Sequence, residues 1–225
     1  MKTLLGSWLL LGLAATLQSQ EPGSAAKIQV FVYNYAGLPA GTLAQAEQEA
    51  ARIYHLTGIE TEWLDCPLTP EQAEQYPACR LPITPTRLAV GVLSRAMADT
   101  IKLSPKTFGE AYIPADGSFA RFAKVCGYCA AELAAGLEVT HGVMLGHLMA
   151  HELGHLLLGQ GSHGASGLMH VPWHRKELQK VSQGALMFMS WEGDRMRAQI
   201  LDRFSAGQAG GDAAAQRGIN RSGRA

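Results

Sequence analysis

His151-Glu152-Leu153-Gly154-His155-Leu156-Leu157-Leu158-Gly159-Gln160-Gly161-Ser162-His163 is the stretch from which the rest of this 225-residue chain is read. It contains the pattern H-E-x-x-H, which on a helix sets two imidazoles one turn apart on one face. Both then reach a single zinc ion, and the Glu152 carboxylate stands beside the metal's open position. Upstream, Thr140 is placed to cap such a helix, and Val143, Met144, His147, Ala150, His151 and His155 fall along one side of it. Gly159 and Gly161 stop it, because glycine takes the left-handed conformation that a helix end needs.

Outward from this helix the chain reads as scaffold. Lys27 to Tyr35 is β-branched and aromatic and ends at Ala36-Gly37-Leu38-Pro39, a buried strand followed by a turn. Thr42-Leu43-Ala44-Gln45 has the form of a capping box, with Leu43, Ala46, Ala50, Ile53 and Tyr54 at helical spacing behind it. Small residues on that face allow a second helix to approach closely. Ile59 to Leu64 alternates apolar and polar residues, as a half-exposed strand does. Arg87 to Leu93 is a third strand, and Gly109 to Pro114 a shorter fourth whose proline marks a sheet edge. Ser118 to Leu137 is Ala-rich and reads as helix or a long connecting segment. Glu177 to Met187 and Trp191 to Phe204 are further helical stretches. The fold class expected is α+β, a twisted mixed sheet of about four strands. An edge strand borders a cleft, one helix backs the sheet, another carries the motif, and more helices follow.

The two ends of the chain read differently. In residues 1–20, Lys2 precedes an apolar run from Leu4 to Leu17, the form of a secretory signal peptide. A membrane span needs about 20 apolar residues, and no later segment is apolar enough. The expected location is secreted or periplasmic, with no membrane attachment after signal cleavage. Residues 26–205 make one domain, and 206–225 have almost no core formers and read as a disordered tail. Basic and acidic residues balance at 19 each, which gives no basis for nucleic-acid binding or for an anionic surface as partner.

Export makes the four cysteines disulfide candidates. Cys66 with Cys79, and Cys126 with Cys129, is the preferred pairing because each pair is close in sequence; the first closes a proline-rich loop. Cys126-Gly127-Tyr128-Cys129 is also the form of a redox pair or of half a zinc knuckle. A redox pair should open a helix just after a strand, and a knuckle needs a second ligand pair. With neither context visible, a structural disulfide or two packed thiols is expected.

The order H-E-x-x-H, glycine, histidine, then Met169 in a tight turn resembles the metzincin clan of zinc peptidases. The resemblance covers about residues 28–173 and extends to small exported bacterial proteins of that clan. It implies a metzincin-like fold with His151, His155 and His163 as ligands of one catalytic zinc ion and Glu152 as general base. Met169 would be the apolar floor beneath the metal. It also implies that Ala111, Tyr112 and Ile113 form the strand along which a peptide pairs. The family pattern places three residues from second histidine to glycine and three more to the third. Here each interval is four, from His155 to Gly159 and on to His163. Glu177, Glu192, His170, His174 and His141 therefore stay open as third ligands. His147 is excluded from sharing an ion with His155, since eight residues are ~12 Å along a helix. Some metzincins add a tyrosine after the methionine turn, but none follows Tyr128 in this chain.

The function expected is zinc-dependent endopeptidase, acting as a monomer on polypeptide. The alternative is a non-catalytic zinc-binding or protein-binding module on the same scaffold. Retention of Glu152 argues against it, because metal binding does not need a base.

Overall fold

The computed structural model describes residues 26–104 and 107–222, with side chains through Ala209. The expected signal peptide, residues 1–20, lies outside them. Strand β1 (Ala26–Asn34) pairs in parallel with β2 (Ile59–Cys66) on one side and β3 (Arg87–Leu93) on the other. β4 (Gly109–Tyr112) pairs antiparallel to β5 (Phe122–Cys126), which joins β3 in parallel. The sheet thus runs β2-β1-β3-β5-β4, a mixed α/β arrangement of five strands. The strand missing from the sequence expectation is β5. It is only five residues long and lies in the Ala-rich segment read as helix or connection.

Alternation along β1 decides which way the sheet faces. Ile28, Val30 and Val32 point into the main core with Leu88, Val90 and Val92 of β3, while Phe31 packs on the opposite face with Cys66 and Ala89. The main core is filled by helix α1 (Ala40–His55) and helix α5 (His141–Leu158). Their crossing is close because its residues are small: a Cβ added to Gly146 would lie 2.6 Å from the Ala46 carbonyl oxygen. The buried Tyr54 hydroxyl donates to the Ala150 carbonyl at 3.0 Å and fixes the register of the two helices. The expected close approach to α1 is therefore realised at Gly146.

Smaller elements fill the connections. The loop after β2 holds helix α2 (Pro70–Ala73) and a 3-10 turn (Pro77–Arg80), closed by the Cys66–Cys79 disulfide. Helix α3 (Arg95–Thr100) follows β3, and α4 (Gly127–Ala134) starts directly from β5. The first helix begins at Ala40 with Pro39 as N-cap and no side-chain cap, so the expected Thr42 capping box does not form. Two hydrogen bonds between the Asn34 side chain and the Leu38 backbone close the preceding turn instead and start the helix early.

Helix α6 (Arg175–Ser182) is shorter than expected and ends before Gly184, whose φ is +64°. Helix α7 (Ser190–Ser222) runs into the residues that composition assigns to a disordered tail. Alanine is the best helix former, and a helix already packed over its first turns extends cheaply into such a sequence.

One residue of α7 ties the layers together. Arg203, 2% exposed, donates to the carbonyls of Pro85 at 3.0 Å, Ala120 at 2.8 Å and Leu156. Those carbonyls belong to the entries of β3 and β5 and to the last turn of α5, where the helix dipole favours a cation. Burial lowers its guanidinium to about 10, which leaves it charged at neutral pH. Arg203→Met strands three acceptors and is expected to cost on the order of 3 kcal/mol, read from chemical denaturation. Arg203→Lys, which keeps the charge without the planar fork, should recover only part of the loss.

Candidate metal centre

Helix α5 begins where the sequence expects, with the Thr140 hydroxyl accepting from the Val143 N–H at 3.2 Å. Its apolar residues surround it on nearly every side, so it runs through the core rather than along the surface. At Gly159 the backbone turns to φ +83°, and Gly161 repeats the left-handed conformation at +67°. This wide turn absorbs the two extra residues before His163 and returns the chain to the helix.

His151, His155 and His163 come together there, with one donor atom from each lying within 4.8 Å of the others. The Nε2 atoms of His151 and His155 are 3.1 Å apart. On one tetrahedral zinc, with bonds of about 2.0–2.1 Å, such atoms stand ~3.3 Å apart. The opposite ring nitrogens are held in place. His151 Nδ1 lies 2.8 Å from the Leu168 carbonyl oxygen, and His155 Nδ1 lies 2.7 Å from Ser162 Oγ. A carbonyl only accepts, so it fixes the Nδ1–H tautomer of His151 and leaves its Nε2 lone pair free. Burial lowers His151 to about 4 against that hydrogen bond, and burial with its two histidine neighbours lowers His155 to about 3. The imidazoles are therefore neutral at physiological pH, as metal ligands must be. The donor set fits a zinc ion.

The connection from His163 to Met169 is short because it folds on itself. The Gly164 N–H donates to the Met169 carbonyl at 3.1 Å, and the His170 N–H to the Gly167 carbonyl at 3.2 Å. Met169 is fully buried beneath α5. A Cβ on Gly154 would lie 2.9 Å from both Met169 Sδ and Phe188 Cε1. The small residue between the ligands thus makes room for the methionine and Phe188. Of the other candidate ligands, Glu177 receives the His174 N–H and Glu192 receives the Met189 N–H. His170 and His141 face backbone carbonyls, and His147 is buried 3.6 Å from Glu49. Neither glutamate joins the cluster, nor do His141, His147, His170 or His174.

Glu152 is 4% exposed and lies against β4. Burial first, then the nearby Glu110 carboxylate, raises its carboxyl to about 8. The cleft in front has a volume of 730 Å³ and walls that include Phe108, Ala111, Ile113, Val171 and Trp173. The Trp173 ring stands 4.8 Å from Phe108 and edge-on to His151 at 5.9 Å. Tyr112 is 66% exposed on the outer strand, and Ile113 lies just past its end.

Sequence reasoning missed Ser162, the Leu168 carbonyl, Trp173 and Gly109. Only Trp173, a large apolar residue soon after the methionine, left a signal. Gly109 is where the strand touches the carboxylate: a Cβ there would lie 2.2 Å from the Lys124 carbonyl oxygen and 2.7 Å from Glu152 Cγ. Gly109→Ala must push β4 away from both. The expected loss is about 1–3 kcal/mol or more, measured as a lowered urea midpoint.

Among solved structures the chain is similar to archaemetzincin (amzA) from Methanopyrus kandleri, at 14% identity and a TM-score of 0.44. The match covers 78% of this chain and 96% of that one. No family model and no curated protein matches. A likeness this distant says nothing about activity, so the chemistry rests on the residues themselves.

Proposed function

We propose that the chain is an exported zinc-dependent endopeptidase in which His151, His155 and His163 hold one zinc ion and Glu152 is the general base. The observation that carries this reading is the meeting of three imidazoles and one nearly buried carboxyl group at a single cleft. When bound, zinc supplies a Lewis acid that polarises a carbonyl and brings the pKa of a water towards neutrality.

Glu152 does the proton work. Burial raises its carboxyl to about 8, and the charge of a bound zinc ion beside it would favour the carboxylate again. In that form it takes a proton from the attacking water and returns it to the departing amine. β4 is the outer strand of the sheet, so its free edge can pair an extended peptide through main-chain hydrogen bonds. Ala111 and Tyr112 supply that edge, and Ile113 continues it. Such pairing reads little sequence, which favours unfolded polypeptide as the substrate. Met169 keeps the floor beneath the histidines apolar and close-packed.

Two disulfides support the exported reading, being bonds of an oxidising compartment. No helix among the described residues is long and apolar enough to cross a membrane. The protein acts as a monomer on this reading, and nucleic acid has no part in it.

Cleavage of an unfolded polypeptide by the zinc-loaded protein tests the assignment. Glu152→Gln is expected to keep its zinc and to lose about 10²–10⁴-fold in kcat/KM. A zinc-loaded wild type without activity, or a variant as active as the wild type, would overturn it.

A further inference from the structure

Cys126-Gly127-Tyr128-Cys129 has no role in the chemistry at the three histidines, yet it stands where a strand hands over to a helix. Cys126 is the last residue of β5 and the N-cap of α4, and its Sγ accepts the Cys129 N–H at 3.1 Å. Sulfur in that position faces the partial positive charge of a first helical turn, which favours a thiolate. The two cysteines differ in access: Cys126 is fully buried and Cys129 is partly exposed. Beside the turn, the Arg95 guanidinium lies 4.0 Å from the Tyr128 ring centroid and is paired with Glu132.

The other disulfide contrasts on each point. Cys66–Cys79 spans thirteen residues against three, and Cys66 is packed with Phe31 and Ala89 in the smaller core. A bridge across so few residues constrains the unfolded chain less, so the fold depends on it less. The strand-to-helix setting that a redox C-x-x-C requires is thus present, at a bond the fold can spare.

We propose that Cys126–Cys129 is a thiol–disulfide exchange site whose partner is a dithiol, with Cys129 as the sulfur attacked. A thiolate of the dithiol bonds to Cys129 Sγ, the S–S bond breaks, and its electron pair leaves on Cys126 Sγ, where the Cys129 N–H receives it. The second thiolate of the dithiol then attacks its own sulfur in the mixed disulfide and releases Cys129. Two electrons and two protons pass to the cysteines, and the dithiol becomes a disulfide. The exchange lies one hydrogen bond from the cleft, since the Cys126 N–H donates to the Phe108 carbonyl at 2.7 Å.

Two measurements on the full chain test this, with dithiothreitol and glutathione disulfide as probes. In native buffer, Cys126 and Cys129 should become alkylated at a dithiothreitol concentration at least tenfold below that which opens Cys66–Cys79, with the circular dichroism unchanged. Joint opening of the two pairs, prior opening of Cys66–Cys79, or alkylation only as the fold is lost would overturn the proposal. With glutathione disulfide, Cys126→Ser should form a mixed disulfide through Cys129, and Cys129→Ser should not. The reverse pattern would make Cys126 the attacked sulfur and contradict the assignment. Should either variant fail to fold, the wild-type titration alone decides.

Discussion

Almost everything in this structure follows from one constraint: α5 carries two imidazoles and a carboxylate through the protein core, yet must meet solvent at one place. A helix apolar on nearly every side has to be enclosed, and the enclosure comes from separate elements. α1 lies against it across small residues, and the sheet packs on another flank. Met169 and Phe188 fill the space at Gly154. Arg203 clamps its last turn to the entries of β3 and β5 through backbone carbonyls. Among the described residues, the cleft beside β4 opens the motif end of α5 to solvent, and His151, Glu152 and His155 all line it.

Enclosure also sets the chemistry. Burying a charge is costly unless it is paired, so a buried ionisable group tends to become neutral. Burial is the largest influence on His151, Glu152 and His155 alike, lowering both imidazoles and raising the carboxyl. The same low-polarity surroundings therefore keep the nitrogens free for a cation, whose charge would in turn favour the Glu152 carboxylate against burial. The hydrogen bond from His151 Nδ1–H to the Leu168 carbonyl and the one between His155 Nδ1 and the Ser162 hydroxyl orient the rings. Those two partners lie on the segment that follows the helix, so folding of that segment and shaping of the centre are one event.

How much of this could be read in the sequence depended on distance along the chain. β1, α1, β3 and α5 were legible because periodicity is a local property, and H-E-x-x-H was legible because helical geometry fixes what its spacing does. The fifth strand was hidden: five residues carry little pattern, and the pairing of β5 with β3 and β4 is not local. The start of α1 was misjudged because Asn34 closes the turn before Pro39, an arrangement that composition does not reveal. Gly109 read as an ordinary strand glycine, since its need for zero side chain arises only from Glu152 and Lys124 across space. His163 was legible as a histidine in reach, but two left-handed glycines were needed to show that the longer turn brings it back.

On the proposed reading three imidazoles, and no other side chains, form one zinc centre. X-ray absorption at the zinc edge, on protein loaded with a single equivalent of zinc, addresses it directly. Three imidazole nitrogens are expected at about 2.0–2.1 Å, falling to two in His163→Ala. A spectrum with only two imidazoles in the wild type, or with sulfur in the coordination sphere, would contradict it.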